Sequence, residues 1–289
     1  MKELVLQNSI WSLVLLPEWG GRVARLRAQG LDILTPITQH SFDPLAWPRG
    51  GIYPLMPYSN RVRDAQLNHA GVAHSLPAHP AALPHTLHGV AQTLPWQIEG
   101  QDRYSATLTC QYEGPHWPWP LRFEQRFSLV DEHLRIELGV TNLGNSSMPA
   151  GLGLHPYFHR YPKMRVQLNV TRAWDIDDQY LPTGAYQRRL APVVIDDAVQ
   201  HELALYGSGW DGLLLVEYPQ GTLRMETGAP LTHFVAFAPQ GAPYLCLEPV
   251  SHLADAFNSP PEAWGAQGTQ VVEPSQTLKA NLVFSWQPN

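Results

Sequence analysis

Alternation of apolar and polar residues is the dominant pattern, clearest between Leu121 and Val140. Leu121, Phe123, Phe127 and Leu129 alternate with Arg122, Glu124, Arg126 and Ser128. After a polar break at Asp131-Glu132 the pattern resumes as Leu134, Ile136, Leu138 and Val140 against Arg135, Glu137 and Gly139. A period of two puts the apolar set on one face of a strand, so this stretch is a hairpin with one buried and one wet face. Ala106, Leu108, Cys110 and Tyr112 form a third strand of the same kind, and Leu278, Ala280, Leu282 and Phe284 repeat the theme. Further strands are expected near 3–7, 10–16, 22–28, 148–155, 212–218, 222–227, 231–238 and 243–248. Strand follows strand with no helical period between them, which argues against a parallel βαβ fold.

Composition agrees. The 27 Pro and 22 Gly punctuate all 289 residues and leave few windows long enough for an average helix. Hydrophobic residues make up 44% and charged residues 15%, ample for a core and unlike a disordered chain. No low-complexity linker divides the sequence, so the expectation is an all-β fold, a large antiparallel sandwich spanning 1–289 as one domain. A net charge of -6, with only three Lys scattered among the basic residues, excludes a basic nucleic-acid surface and a polybasic membrane patch. No apolar run approaches a membrane span or a cleavable leader, and Cys110 and Cys246 read as two free thiols, so a cytoplasmic location is expected.

Three segments combine reactive groups with neighbours that restrict the backbone. In Pro54-Leu55-Met56-Pro57-Tyr58-Ser59-Asn60-Arg61 an amide and a guanidinium follow an apolar turn, and a planar fork of donors suits the hydroxyls of a polar ligand. In Gly151-Leu152-Gly153-Leu154-His155-Pro156-Tyr157-Phe158, alternation sets His155 on the face of two glycines, which would leave room for a ligand beside the imidazole. In Tyr244-Leu245-Cys246-Leu247-Glu248-Pro249 a carboxylate closes an apolar strand, where such a group pairs with a cation or has its pKa shifted. His88 and Asp211 are further candidates, the latter beside Trp210 as an acceptor for hydroxyls. Trp47, Trp117, Trp119 and Trp210 are the candidates for stacking on a ring. The long stretch from His69 to Pro95 reads as an irregular excursion. Its histidines at 69, 74, 79, 85 and 88 match no usual metal-ligand spacing, so no metal is expected.

Asn60-Arg61 after a Pro-aromatic turn, Leu87-His88-Gly89, His155-Pro156-Tyr157-Phe158 and Glu248-Pro249 occur in an order that resembles the aldose 1-epimerase (galactose mutarotase) family, over roughly residues 20 to 258. Leu-His-Gly-Val and Glu-Pro-Val stand where the best-known members have Leu-His-Gly-Gly and Glu-Pro-Gln, which resembles a divergent bacterial-type branch. The resemblance implies a β-supersandwich without metal or organic cofactor. It implies a small monosaccharide as the only partner, on a monomer or homodimer. It further implies His155 as general acid, Glu248 as general base, and Arg61, His88, Asp211 and the adjoining Asn60 as sugar-binding residues. The expected reaction is interconversion of the α and β anomers of a free aldohexose. Two alternatives stand beside it: a hexose-6-phosphate 1-epimerase, with Arg25 and Arg27 on one strand face as the phosphate site, and a non-catalytic sugar-binding module.

Overall fold

A computed structural model describes residues 2–196 and 201–289. Two large sheets, one of eleven strands and one of nine, pack face to face, and every neighbouring pair within them is antiparallel. The alternating stretches supply the nine-stranded sheet. Trp117–Val130 and His133–Asn142 form the predicted hairpin, flanked by Ser105–Gly114 and Thr277–Pro288. Phe123, Phe127, Leu134, Ile136 and Leu282 from this sheet share one buried cluster with Leu154, Phe158, Leu245 and Leu247 from the other. That cluster is the core between the layers. Among the described residues no helix is long and apolar enough to cross a membrane.

The eleven-stranded sheet is buried on both faces at its centre. There, in spatial order, run Arg22–Ala28, Ile52–Pro54, Leu154–His159, Tyr244–Val250, His233–Ala238 and Leu203–Ser208. Alternate residues divide between two clusters. Ile52, Leu154, Leu245, Leu247, Phe234 and Ala236 face the other sheet, while Tyr53, Tyr157, Cys246, Val235 and Tyr206 face outward under a cover of loops. Burial on both faces explains why residues 234–238 and 244–247 read as continuous apolar runs rather than as clean alternation.

The remaining differences from the sequence reading have local causes. The strand expected over 148–155 is two strands, Met148–Ala150 and Leu154–His159, interrupted at Gly151-Leu152-Gly153. The excursion from His69 to Pro95 begins with a small hairpin, Gln66–His69 against Val72–Ser75, and continues through the short 3₁₀ turns Pro80–Ala82 and Ala91–Thr93. Its end folds back beside Met56, bridging to Gly89. Strands such as Pro182–Arg188, exposed along most of its length at a sheet edge, carry no apolar face and so no alternation to read.

Candidate active site

The candidate site is one row running across the large sheet. Strand pairing sets Tyr53 opposite His155, and Val235 opposite both Glu248 and Tyr206. The register that joins Tyr157 to Cys246 and Gly153 to Val250 sets His155 opposite Glu248. Between those two points the ladder lacks pairs, because Pro156 and Pro249 have no N–H to give it. Side chains directly opposed on neighbouring strands come into contact. Accordingly His155 Nε2 lies 3.3 Å from Glu248 Oε1, in a fixed relation set by the sheet rather than by a loop. Both are buried, at 6% and 3% exposure.

His155, Glu248, Val235 and Tyr206 of this row form the floor of a cavity of about 190 Å³ that is open to solvent, walled by Trp47, Arg49, Asn60, Arg61, His88 and Tyr180 among others. Asn60 and His88 hold each other in place. The Asn60 N–H donates to His88 Nδ1 at 3.1 Å, and the His88 N–H donates to the Asn60 carbonyl at 2.8 Å. Both residues have positive φ, 58° and 62°, and Gly89 follows at 66° with its Cα against the Met56 carbonyl, a turn that a Cβ would obstruct. Because Nδ1 accepts, the proton of neutral His88 sits on Nε2. Burial, with His155 and Arg61 nearby, holds its pKa well below the ordinary value, so His88 is a neutral donor. Arg61 donates to the Asn60 side chain at 3.2 Å and packs over Tyr180.

His155 is also the middle ring of a stack. Tyr53 is stacked on His155 with ring centroids 4.6 Å apart, and His155 on Tyr157 at 4.7 Å. On Tyr53 rests Arg22, fully buried, its guanidinium carbon 4.4 Å from the ring centroid. It donates to the Gln92 side chain at 2.6 Å, and among the described residues its Nε and Nη1 have no hydrogen-bond partner. Burial of the pair disfavours either charge. Glu248 is pushed up to about 8 by desolvation against the opposing pull of Arg61. His155 is pushed down to about 3 by desolvation, then by the Arg49 and Arg22 cations. Between these values the pair holds a single proton, a property of the two groups together.

Five of the six sequence candidates, His155, Glu248, Asn60, Arg61 and His88, line this cavity. The sixth does not, and the expectation for it is corrected. Asp211 is exposed, its carboxylate taken by the Asn169 side chain at 2.7 Å and the Leu213 N–H at 3.1 Å, which makes it a turn-forming residue. The reading of the glycines is also corrected. A Cβ on Gly151 would run into the His252 ring, and one on Gly153 would lie 2.8 Å from Val250 Cγ1, so they admit neighbouring chain rather than ligand. Arg25 and Arg27 both clasp Asp32, at 2.8 and 2.9 Å, and do not line the cavity. Of the four tryptophans only Trp47 reaches it; Trp117 and Trp119 pack on each other, and Trp210 packs on Phe234. Cys110 and Cys246 are free and buried. Sequence reasoning missed Arg22, Arg49, Tyr53 and Tyr206. Tyr157 was within reach, two residues beyond His155 and hence on its face.

The chain matches the aldose 1-epimerase family over residues 2–285. It is 30% identical to the uncharacterized Escherichia coli (strain K12) protein YphB over 222 residues, 72% of this chain and 75% of that one. Its structure superposes on that of Slr1438 from Synechocystis sp. PCC 6803 with a TM-score of 0.82 at 25% identity, covering 100% of this chain and 96% of the other. A galactose mutarotase-like protein from Clostridium acetobutylicum shares the fold at a TM-score of 0.85 and 18% identity, covering 100% and 98%. The ordered motifs, the sandwich and the family match agree: this chain belongs to the aldose 1-epimerase family.

Proposed function

We propose that the protein is an aldose 1-epimerase that interconverts the α and β anomers of a free aldohexose, with His155 and Glu248 as the acid–base pair. The observation that carries this reading is the 3.3 Å separation of Nε2 and Oε1 at the floor of an open cavity. The anomeric hydroxyl and the ring oxygen are bonded to the same carbon, so the groups that serve them must stand side by side. Glu248 as carboxylate takes the proton from the C1 hydroxyl while His155 as imidazolium gives one to the ring oxygen. The ring opens to the aldehyde, the C1–C2 bond rotates, and closure on the other face reverses both transfers. The pair begins and ends with one proton, the count that burial of both groups favours; at rest that proton is on Glu248, and it passes across the 3.3 Å contact to His155 before the ring opens. Arg61 and the Nε2–H of His88 supply donors to the hydroxyls, and the apolar face of Trp47 supplies a wall for C–H groups.

Arg49 keeps a second reading in play. It lines the cavity without forming an ion pair among the described residues, so a hexose 6-phosphate could present its phosphate there. Polarimetry on freshly dissolved α-D-glucose, α-D-galactose and α-D-glucose 6-phosphate separates the readings. Wild type accelerates mutarotation of a free hexose, and Glu248→Gln lowers turnover by about 10²–10⁴ with little change in KM. A preference for the phosphorylated sugar that is lost in Arg49→Ala establishes the second reading. Sugar binding without acceleration of any of the three leaves a non-catalytic binding module.

A further inference from the structure

Cys246 stands two residues before Glu248 on the same face of the same strand, in the next row of the sheet, opposite Tyr157. Ligand atoms of His155, Cys246 and Glu248 all lie within 4.8 Å of one another, and all three residues are buried. Among the described residues Glu248 Oε2 has no hydrogen-bond partner. No proton transfer in the proposed reaction uses the thiol.

We infer that His155, Cys246 and Glu248 form a binding site for a thiophilic divalent metal ion of the zinc class, and that the bound ion withdraws the acid–base pair from proton transfer. Zinc bonds of about 2.0–2.3 Å to nitrogen, oxygen and sulfur set tetrahedral ligand–ligand edges of about 3.3–3.6 Å. The Nε2–Oε1 distance of 3.3 Å already equals such an edge. The sulfur needs to close by at most about 1.2–1.5 Å to complete the face. The strands fix the three side chains, so little ordering is left for the ion to impose. The donor set is an imidazole, a thiolate and a carboxylate, which excludes magnesium and calcium in favour of softer ions. Two anionic ligands cancel the dication, so the bound site carries no net charge into a buried place. The fourth position faces the cavity, where water or a sugar hydroxyl completes the tetrahedron.

The protons balance. The thiol loses one to become thiolate, and the pair loses the one it shares, so two protons leave to solvent for each ion bound at neutral pH. Among the described residues His155 Nδ1 has no hydrogen-bond partner, whereas strong zinc centres fix the second nitrogen with a carbonyl or carboxylate. The affinity is therefore expected about 10–100-fold below theirs.

The effect on catalysis rests on the proposed acid–base reading, but binding does not, and the test separates them. Metal-free protein is titrated with Co²⁺, and the thiolate-to-cobalt charge-transfer band and tetrahedral ligand-field bands are followed. Expected are one ion per chain, two protons released in calorimetry across buffers of different ionisation enthalpy, and displacement by Zn²⁺. The band is lost in Cys246→Ser and kept in Cys110→Ser. No charge-transfer band in wild type, or one that follows Cys110, overturns the site. In the activity arm, Zn²⁺ slows mutarotation by wild type, while the Cys246→Ser protein turns over at the same rate with and without it. A Zn²⁺-loaded wild type that is as fast as the metal-free protein overturns the blocking role. Absence of mutarotation in metal-free wild type refutes the proposed function, and the cobalt spectrum still decides the site.

Discussion

Replacing Glu248 with Gln is expected to stabilise the protein, increasingly so as pH rises. The folded carboxyl keeps its proton up to about pH 8, whereas the ordinary value is 4.5. Between these values the folded state binds more protons than the unfolded one, so stability falls as pH rises through the window. Each unit of displacement is worth about 1.4 kcal/mol, which puts the wild-type loss between pH 5 and pH 8 at about 3–4 kcal/mol. Glutamine has no proton to lose and escapes it. His155, held at about 3, contributes with the opposite sign: its cost is present at low pH and disappears as pH rises toward 6.5. It does so in both proteins and cancels in the difference. At about 2 °C per kcal/mol for a chain of this size, the gap in Tm between variant and wild type should widen by about 7 °C from pH 5 to pH 8 and then level off. Differential scanning calorimetry across that range measures it without any assumption about the reaction. A gap that stays flat, or narrows, would show that Glu248 is ionised at neutral pH in the folded protein and that burial does not govern the pair.

Three other outcomes are expected. The proposed acid–base reaction requires one proton on the pair, so kcat/KM for mutarotation should hold level up to about pH 7 and fall about tenfold per unit above about pH 8, as seen by polarimetry corrected for buffer. Arg22→Met removes a cation that helps to keep His155 deprotonated. The acid limb of the profile, or the NMR titration of His155, should move to higher pH, and an unmoved limb would mean that Arg22 acts only by packing. Asp211→Asn changes a surface turn and should leave turnover within about twofold of wild type; a large loss would return that carboxylate to the sugar.

The nine-stranded sheet was legible because one of its faces meets water, and a wet face writes polar residues at every second position. His133–Asn142 and its partners show this in full. The large sheet was harder to read because loops cover its outer face. Ile52–Pro54 is three buried residues with no polar alternation at all, and Leu203–Ser208 gives only a weak one. The same cover explains what was readable in the site. His155 and Glu248 stood out as polar groups inside apolar runs, an anomaly that exists only because the strands around them are dry. Arg22 carried no such mark, since it opens a strand with further arginines at 25 and 27 and resembles a residue facing water. Only the packing of Phe42 and Tyr53 on its guanidinium shows that it lies inside.

The two prolines join the legible and hidden parts of the site. Pro156 and Pro249 each follow a catalytic candidate by one residue, and from sequence they mark only strand ends. In the sheet they stand inside the ladder, on neighbouring strands, and withhold two backbone donors from the stretch where His155 faces Glu248. Pro156 nevertheless lies within its strand because pairing continues on its other side, opposite Ile52. The sheet is thus locally unpaired along one seam while both strands stay anchored, by Tyr157–Cys246 on one side and Gly153–Val250 on the other. Such a seam keeps two buried ionisable groups in contact at a fixed spacing. The stability cost of holding Glu248 protonated follows from that confinement, and sites that carry out chemistry are where a fold bears such costs.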